Sequence, residues 1–400
     1  MITVRSVGSL TGDDAAAWDA IASKVSLYLS SAWLRSVESG DPTCEVRYLL
    51  VEEDRRLVAG MPVYEVVRET NRFYDVATQL RDSATVVGSG KRRILGNRRG
   101  YESRVLVADS FPRQTCDAAV EALKSHLDGL KPATAMYVPD GDLAAFSRLG
   151  MDASPALINA RAQLRCTGGS FDDYLSTVSR NRRAQVRKER REFVKADHEM
   201  GRERLSACYE EAAPLLGNLQ REYGHPTTDD GARSLLAGQA RYLDDLSCVH
   251  TVRKSGRLVG FALTFSFADW IWVRAVGFDR AGLADAFEYF NLSFYEPLEV
   301  CYERRYKGLQ LGMESLRAKK LRGATIEPLW MVPHGWSCGS EEQLSQRNAQ
   351  VAAELTAPLQ DAGLSGLDRY LVSAVDVRGT SSELVQAEEE RGTPREDDLW

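Results

Sequence analysis

Residues Ser179 to Arg191 read SRNRRAQVRKERR, which places six arginines and one lysine in a chain whose formal net charge is −6. A cationic run inside an acidic whole is a local device rather than a drift of composition. The arginine fork matches pairs of oxygens on phosphate or carboxylate, so the chemistry on offer at Arg182, Arg183, Arg187 and Arg190 is anion capture, in RNA or in a nucleotide-linked substrate. The run equally reads as a solvated face whose arginines pair with acidic residues elsewhere. Phe171, Tyr174, Leu175 and Val178, continued by Val186 and Phe193, recur three or four residues apart. They predict a helix that buries this stripe while the arginines leave from another.

A second group of reactive side chains lies downstream. Lys319 and Arg322, beside Gly323, would hold a phosphate or carboxylate or offer positive charge to an oxyanion, and they also read as ordinary loop cations. Glu288, Asn291 and Tyr295 fall at helical spacing and would share one polar stripe. His225, in the run Tyr223-Gly224-His225-Pro226, would relay a proton near neutral pH or serve as a structural histidine in a turn. Trp272 and Arg274 are two apart in a strand pattern and therefore point to one face. Trp330, Trp336 and the turn Pro333-His334-Gly335 read as a cap over the same cleft. Nothing in the spacing suggests a nucleophilic dyad.

Seven scattered cysteines, an odd number without C-x-x-C, fit free thiols in a reducing cytosol. Five histidines form no metal-ligand spacing, so no bound metal is expected. The N-terminus has no signal-peptide pattern and no stretch approaches eighteen apolar residues, so a cytoplasmic protein without a transmembrane segment is expected. The acidic balance excludes a general nucleic-acid coat and a DNA partner, while a local basic groove remains compatible with a selective RNA.

The elements that must position these groups follow an α/β pattern. A helix is predicted after Thr11, a hairpin over Val46 to Val67, a helix over Thr115 to Leu130 with Ala118, Ala119, Ala122 and Leu123 inward, and strands at Thr134–Val138 and Leu157–Leu164. Helices over 203–223 and 230–246 follow the basic run, then a second hairpin turning at Ala268-Asp269. A helix from Ala286 is interrupted by Pro297, and a strand over 306–313 leads into a loop holding Lys319 to Gly323. The turn of the first hairpin, Val51 to Ala59, matches that of the second, Val252 to Gly260, at a constant offset. Two similarly built lobes are the economical explanation. The expected division is 1–165, 166–375 beginning with the basic helix, and an acidic tail over 376–400.

The basic helix S-x-N-R-R-x-x-x-R, the Y-G-H-P element, the hairpin with W-V-R, the F-N-x-x-x-Y helix and the K-x-x-R-G loop occur in that order. This sequence of motifs resembles the Fem-like branch of the GNAT acyltransferase superfamily over roughly residues 25 to 335. The resemblance implies two tandem GNAT-like lobes, each a mixed sheet flanked by helices, and an N-acyltransferase that forms an amide on a small amine or peptidyl acceptor. It implies aminoacyl-tRNA as donor, with acyl-CoA as the alternative and no bound cofactor; a non-catalytic RNA- or nucleotide-binding protein on the same fold is a further reading. Carried over by position, Lys319, Arg322 and His225 form, with Glu288 marked by its spacing, the expected catalytic group. Tyr223, Trp272, Arg274, Asn291, Tyr295 and Gly323 are expected to line the substrate cleft. The chain departs from longer relatives in having no coiled-coil arm. It also lacks a correctly placed R/Q-x-x-G-x-G/A loop of the kind that cradles the CoA pyrophosphate on backbone amides.

Overall fold

Alternating apolar residues around tight turns give strands, and stripes of 3.6-residue period give helices. The computed structural model describes residues 1–38, 43–69, 71–80, 92–151, 154–223 and 227–360. The first half contains β1 (Ile2–Val7), α1 (Gly12–Ala22), α2 (Ser31–Glu38), β2 (Cys44–Glu53), β3 (Arg56–Val66), α3 (Val76–Leu80), β4 (Arg92–Leu95), β5 (Leu106–Val107), α4 (Arg113–Asp128), β6 (Ala133–Pro139), α5 (Leu143–Arg148) and β7 (Ala156–Arg165). Helices α6 (Phe171–Thr177) and α7 (Arg180–Lys195) link it to the second half. There follow β8 (Glu199–Glu203), α8 (Leu205–Glu222), α9 (Asp229–Leu243), β9 (Ser247–Lys254), β10 (Arg257–Phe267), β11 (Trp270–Phe278) and α10 (Glu288–Phe290). A π-helical turn (Asn291–Tyr295), α11 (Glu296–Arg304), β12 (Gly308–Gly312), α12 (Leu316–Lys320), β13 (Thr325–His334) and α13 (Glu341–Gln360) complete the chain. The acidic tail lies outside the described residues.

Apart from α3, β5 and the final α13, the halves repeat one order of elements, and the likeness reaches into the backbone. Asp54 and Arg55 have φ of 50° and 65°, and Ser255 and Gly256 have 51° and 77°, the left-handed pairs that close a two-residue hairpin. Val58 in β3 and Val259 in β10 are each the extra residue of a β-bulge at the same place in the two hairpins. The repeat seen in the sequence is therefore structural.

The strands form one mixed sheet in the order β1-β2-β3-β4-β6-β13-β7-β12-β11-β10-β9-β8, with β5 on β3. The last strands of the halves have exchanged places: β13 lies between β6 and β7, and β7 pairs with β12. Arg161 of β7, opposite Glu327 of β13, donates to its carboxylate at 2.8 and 2.7 Å and also reaches Glu102. This buried charge pairing fixes the exchanged register. Gly308, where β12 begins against β7, has φ of 151°, and a side chain there would meet the Leu164 carbonyl oxygen at 2.0 Å. An apolar cluster running from Trp18 and Trp33 to Phe261, Phe265 and Trp272 joins the two halves beneath the sheet.

Three expectations change. Ala118 is exposed, and Val120 and Leu127 take its place on the buried face of α4. The stretch before Gly323 is not all loop: Leu316–Lys320 is the short helix α12, which ends in a turn where Gly323 takes φ of 87°. Trp330 and Trp336 do not cap a cleft. Trp330 is buried in the first-half core, with its indole N–H on Asp140, and Trp336 donates to the Ala133 carbonyl.

His250 in β9 is 1 % exposed, and burial, with Arg202 nearby, pushes its pKa down to about 3. Between that value and the ordinary 6.5 the unfolded chain binds the proton and the folded chain does not. Stability is therefore expected to fall as pH drops through this window, by about 1.4 kcal/mol per pH unit for this one site. Urea titrations from pH 6.5 downward should show a shallower slope in His250→Phe.

Candidate functional site

β11 and β12 run parallel for three pairs, Trp270–Gly308, Ile271–Leu309 and Trp272–Gln310, and then part. Beyond the fork the two strands lose their pairing with each other, and a cavity of about 1050 Å³ opens there. Val273 to Val276 form one wall and Leu311 to Ser315 the other. The first half supplies a third, aromatic wall of Tyr28, Trp33, Phe73 and Tyr101, and Tyr223 stands at the end of α8. Both halves build the cleft.

Lys319 reaches the fork from α12. Its ammonium donates to the carbonyls of Leu311 at 2.7 Å, Met313 at 2.6 Å and Gly312 at 3.5 Å. Burial pulls its pKa down to about 7, opposed by the charge of Glu314. Three acceptors for three N–H bonds tie the departing end of β12 in place, so Lys319 gives the cleft a positive field rather than a spare donor.

Arg322 borders the cavity but is 2 % exposed, with its guanidinium committed. It donates to both carboxylate oxygens of Glu189, at 2.9 and 2.8 Å, and to the Tyr295 hydroxyl at 2.7 Å, and it lies over the Phe290 ring. The Tyr295 hydroxyl in turn donates to Glu189, and burial, reinforced by Glu189 and opposed by Arg322, holds that phenol well above its ordinary pKa. Asn291 donates to the Glu189 carbonyl at 3.4 Å and to that of Phe287 at 3.0 Å. The π-helical turn that carries Asn291 and Tyr295 precedes Pro297, whose missing N–H it accommodates. Arg322, Asn291 and Tyr295 thus converge on a residue that sequence reasoning passed over. The signal was present: Glu189 falls on the same helical stripe as Val186 and Phe193, so the one acid of the basic run is the residue turned inward.

Glu288 leaves this group. Its carboxylate accepts from the backbone N–H of Ala284 at 2.8 Å and of Ala286 at 2.9 Å, filling the amides of the turn that leads from β11 into α10. A strand-to-helix turn of this kind is where the resemblance to GNAT enzymes would place a pyrophosphate. Here a buried carboxylate of the chain itself occupies it.

The remaining expected residues divide. Trp272 is 4 % exposed, packs its ring against Tyr28 and belongs to the core rather than the cleft lining. Arg274 lines the cleft. Tyr223 is exposed at the rim, where its carbonyl accepts from Arg72, and Gly323 shapes the turn behind the cleft. His225 lies outside the described residues. Within α7, Arg183 caps α6 through the carbonyls of Leu175 and Val178, and Arg190 pairs with Glu299 over the Phe171 ring. These two are spent inside the protein. Arg187 is exposed, 3.9 Å from Asp172, and forms with Arg180, Lys188, Arg191 and Lys195 an exposed basic stripe along the outer face of α7, while Arg182 is partly buried. Among the described residues no cluster of His, Cys, Asp and Glu could hold a metal, and no helix is long and apolar enough to cross a membrane.

The FemAB-like family, described by its role in peptidoglycan biosynthesis and recognition, matches residues 104–332. No protein of curated description matches the chain. The structure of FemX superposes with a TM-score of 0.56 at 11% identity, covering 86% of this chain and 99% of that one. A conserved protein of unknown function from Bacteroides thetaiotaomicron gives 0.50 at 13% identity, covering 84% of this chain and all of the other.

Proposed function

Because the chain belongs to the FemAB-like family of the GNAT superfamily, which supports an enzyme of the acyltransferase kind, we propose that it transfers an aminoacyl group from aminoacyl-tRNA to a small amine or peptidyl acceptor. The observation that carries the choice of donor is Glu288 on the amides of Ala284 and Ala286. An acyl-CoA pyrophosphate at that turn would have to displace a buried carboxylate and meet its charge. An aminoacyl ester needs no such seat.

In this reading the acceptor nitrogen, unprotonated, attacks the ester carbonyl carbon. A C–N bond forms, the C–O bond to the ribose breaks, and the departing hydroxyl takes the proton shed by the amine. The fork between β11 and β12 aligns the reactants, and the positive field of Lys319 favours the oxyanion. The exposed stripe on α7 would meet the tRNA backbone.

A mass-spectrometric transfer assay tests the donor, with charged bulk tRNA in one arm, acyl-CoAs in the other, and a panel of amine acceptors in both. Nuclease-sensitive product in the first arm is the expected result; product with CoA alone overturns it. The docking face has its own check. Replacing Arg180, Arg187 and Arg191 with glutamine should reduce the slope of log affinity for tRNA against log salt by roughly 2 to 3, about one counterion for each lost phosphate contact. An unchanged slope would remove α7 from the interface.

A further inference from the structure

Arg274 is the bulged residue of β11: Val273 pairs with Thr264 and Ala275 with Leu263, so Arg274 is left over between them. Bulges re-aim a side chain, commonly beside a site. Here the guanidinium lies over the faces of Trp33, at 5.1 Å from the ring centroid, and Tyr101, at 5.5 Å, both from the first half. Its hydrogen bond to a backbone carbonyl is a long one, 3.4 Å to that of Arg99, the Tyr101 hydroxyl lies close enough to interact with it, and its buried Nε has no acceptor. No described carboxylate lies within ion-pairing distance of it. The contrast with the rest of the cleft is informative, since Arg322 is paired with Glu189 and Arg280 with Glu222 at 2.6 Å. Among the described residues that line the cleft, six are basic (Arg72, Arg99, Arg274, Arg280, Lys319 and Arg322) against three acids (Glu222, Asp230 and Glu314). A half-buried guanidinium without a counter-ion is unfavourable unless a ligand supplies one.

We infer that Arg274 is the anchor for a carboxylate of the acceptor substrate, which enters edge-on to the guanidinium between the Trp33 and Tyr101 rings. The guanidinium carbon lies within 5.5 Å of both ring centroids, and an arginine fork takes a two-oxygen partner such as a carboxylate. The acceptor class is thus an amine that also bears a carboxylate, such as an amino acid or a peptide with a free C-terminus. This inference rests on the proposed transferase reading for the word acceptor, but its test does not depend on turnover.

The probes are alanyl-alanine and alanyl-alaninamide, which share the amine and differ in the carboxylate, with inorganic phosphate as a third ligand. Binding to the full chain is read from the fluorescence of Trp33, which adjoins Arg274, with Trp33→Phe identifying its share of the signal. The acid is expected to bind, the amide to bind at least tenfold more weakly, and Arg274→Gln to weaken the acid about 10- to 100-fold while leaving the amide unchanged. Arg274→Lys should recover only part of the loss, because an ammonium lacks the fork, and matching melting curves show whether each variant is folded. Equal binding of acid and amide, no saturable response to the acid, acid binding indifferent to Arg274, or an Arg274-dependent response to phosphate alone overturns the assignment. Failure of transfer from charged tRNA with this discrimination intact would remove the donor reading and leave the carboxylate anchor standing.

Discussion

Arg322→Ala is expected to cost about 3–5 kcal/mol of folding free energy, because it leaves Glu189 buried and charged without its partner. For a chain of this length that corresponds to a fall in the thermal midpoint of roughly 5 °C. Glu189→Ala should do the same from the other side. The diagnostic variant is the double replacement Glu189→Leu with Arg322→Met, which removes both charges and keeps the volume. It should recover most of the loss, since an apolar pair of similar shape is often as stable as a buried ion pair. The motif alone placed Arg322 in the catalytic group, a role that implies slowed turnover rather than lost stability. A guanidinium that donates to both oxygens of Glu189 and to Tyr295 has no fork left for a substrate. Calorimetric melts of the three variants decide the matter: a single variant that melts with the wild type would return Arg322 to the substrate-binding group.

Local patterns were legible in the sequence, and distant meetings were not. Period-two alternation and polar turns gave both hairpins, and the repeat between Val51–Ala59 and Val252–Gly260 foretold the tandem halves, down to equivalent bulges. The exchange of β7 and β13 was invisible, because each strand reads as apolar and nothing in its residues names the neighbour it will take. The same limit applies to the site. Spacing put Asn291 and Tyr295 on one stripe and put Glu288 with them, but Glu288 turns back to amides only two and four residues before it, a local contact that competes with the helix face. The arginines of α7 drew attention by their number, whereas position on the wheel decides their fate: Arg183 and Arg190 flank the buried stripe and find partners, and Arg180, Arg187 and Arg191 face water. Arg274 was marked only by its resemblance. Its bulge arises from the pairing of β10 with β11, which a single strand does not encode.

Lys319→Met is expected to lower turnover about 10²- to 10³-fold, the scale on which a preorganised charge beside a developing oxyanion contributes. A structural contribution must be separated from this, because the substitution also leaves the carbonyls of Leu311, Gly312 and Met313 without their donor, at about 1–3 kcal/mol for an unsatisfied buried group. The pH profile separates them. With a pKa lowered to about 7 by burial, Lys319 loses its charge as pH rises through neutrality. The acceptor amine moves the other way, becoming reactive as it loses its proton. In the wild type the rate follows the product of charged Lys319 and neutral amine, so it should rise up to about pH 7, level off, and fall along a descending limb above the pKa of the amine as the remaining Lys319 charge is lost. In Lys319→Met that limb should vanish, leaving a rate that only rises with pH toward the pKa of the amine. A loss of stability alone would depress the whole profile without changing its shape, and a descending limb that survives the substitution would assign it to another group. Lys319→Arg sharpens the test: the charge persists through the alkaline range, so the limb should again disappear, while the planar fork cannot satisfy three carbonyls converging on one nitrogen, and kcat should stay below that of the wild type.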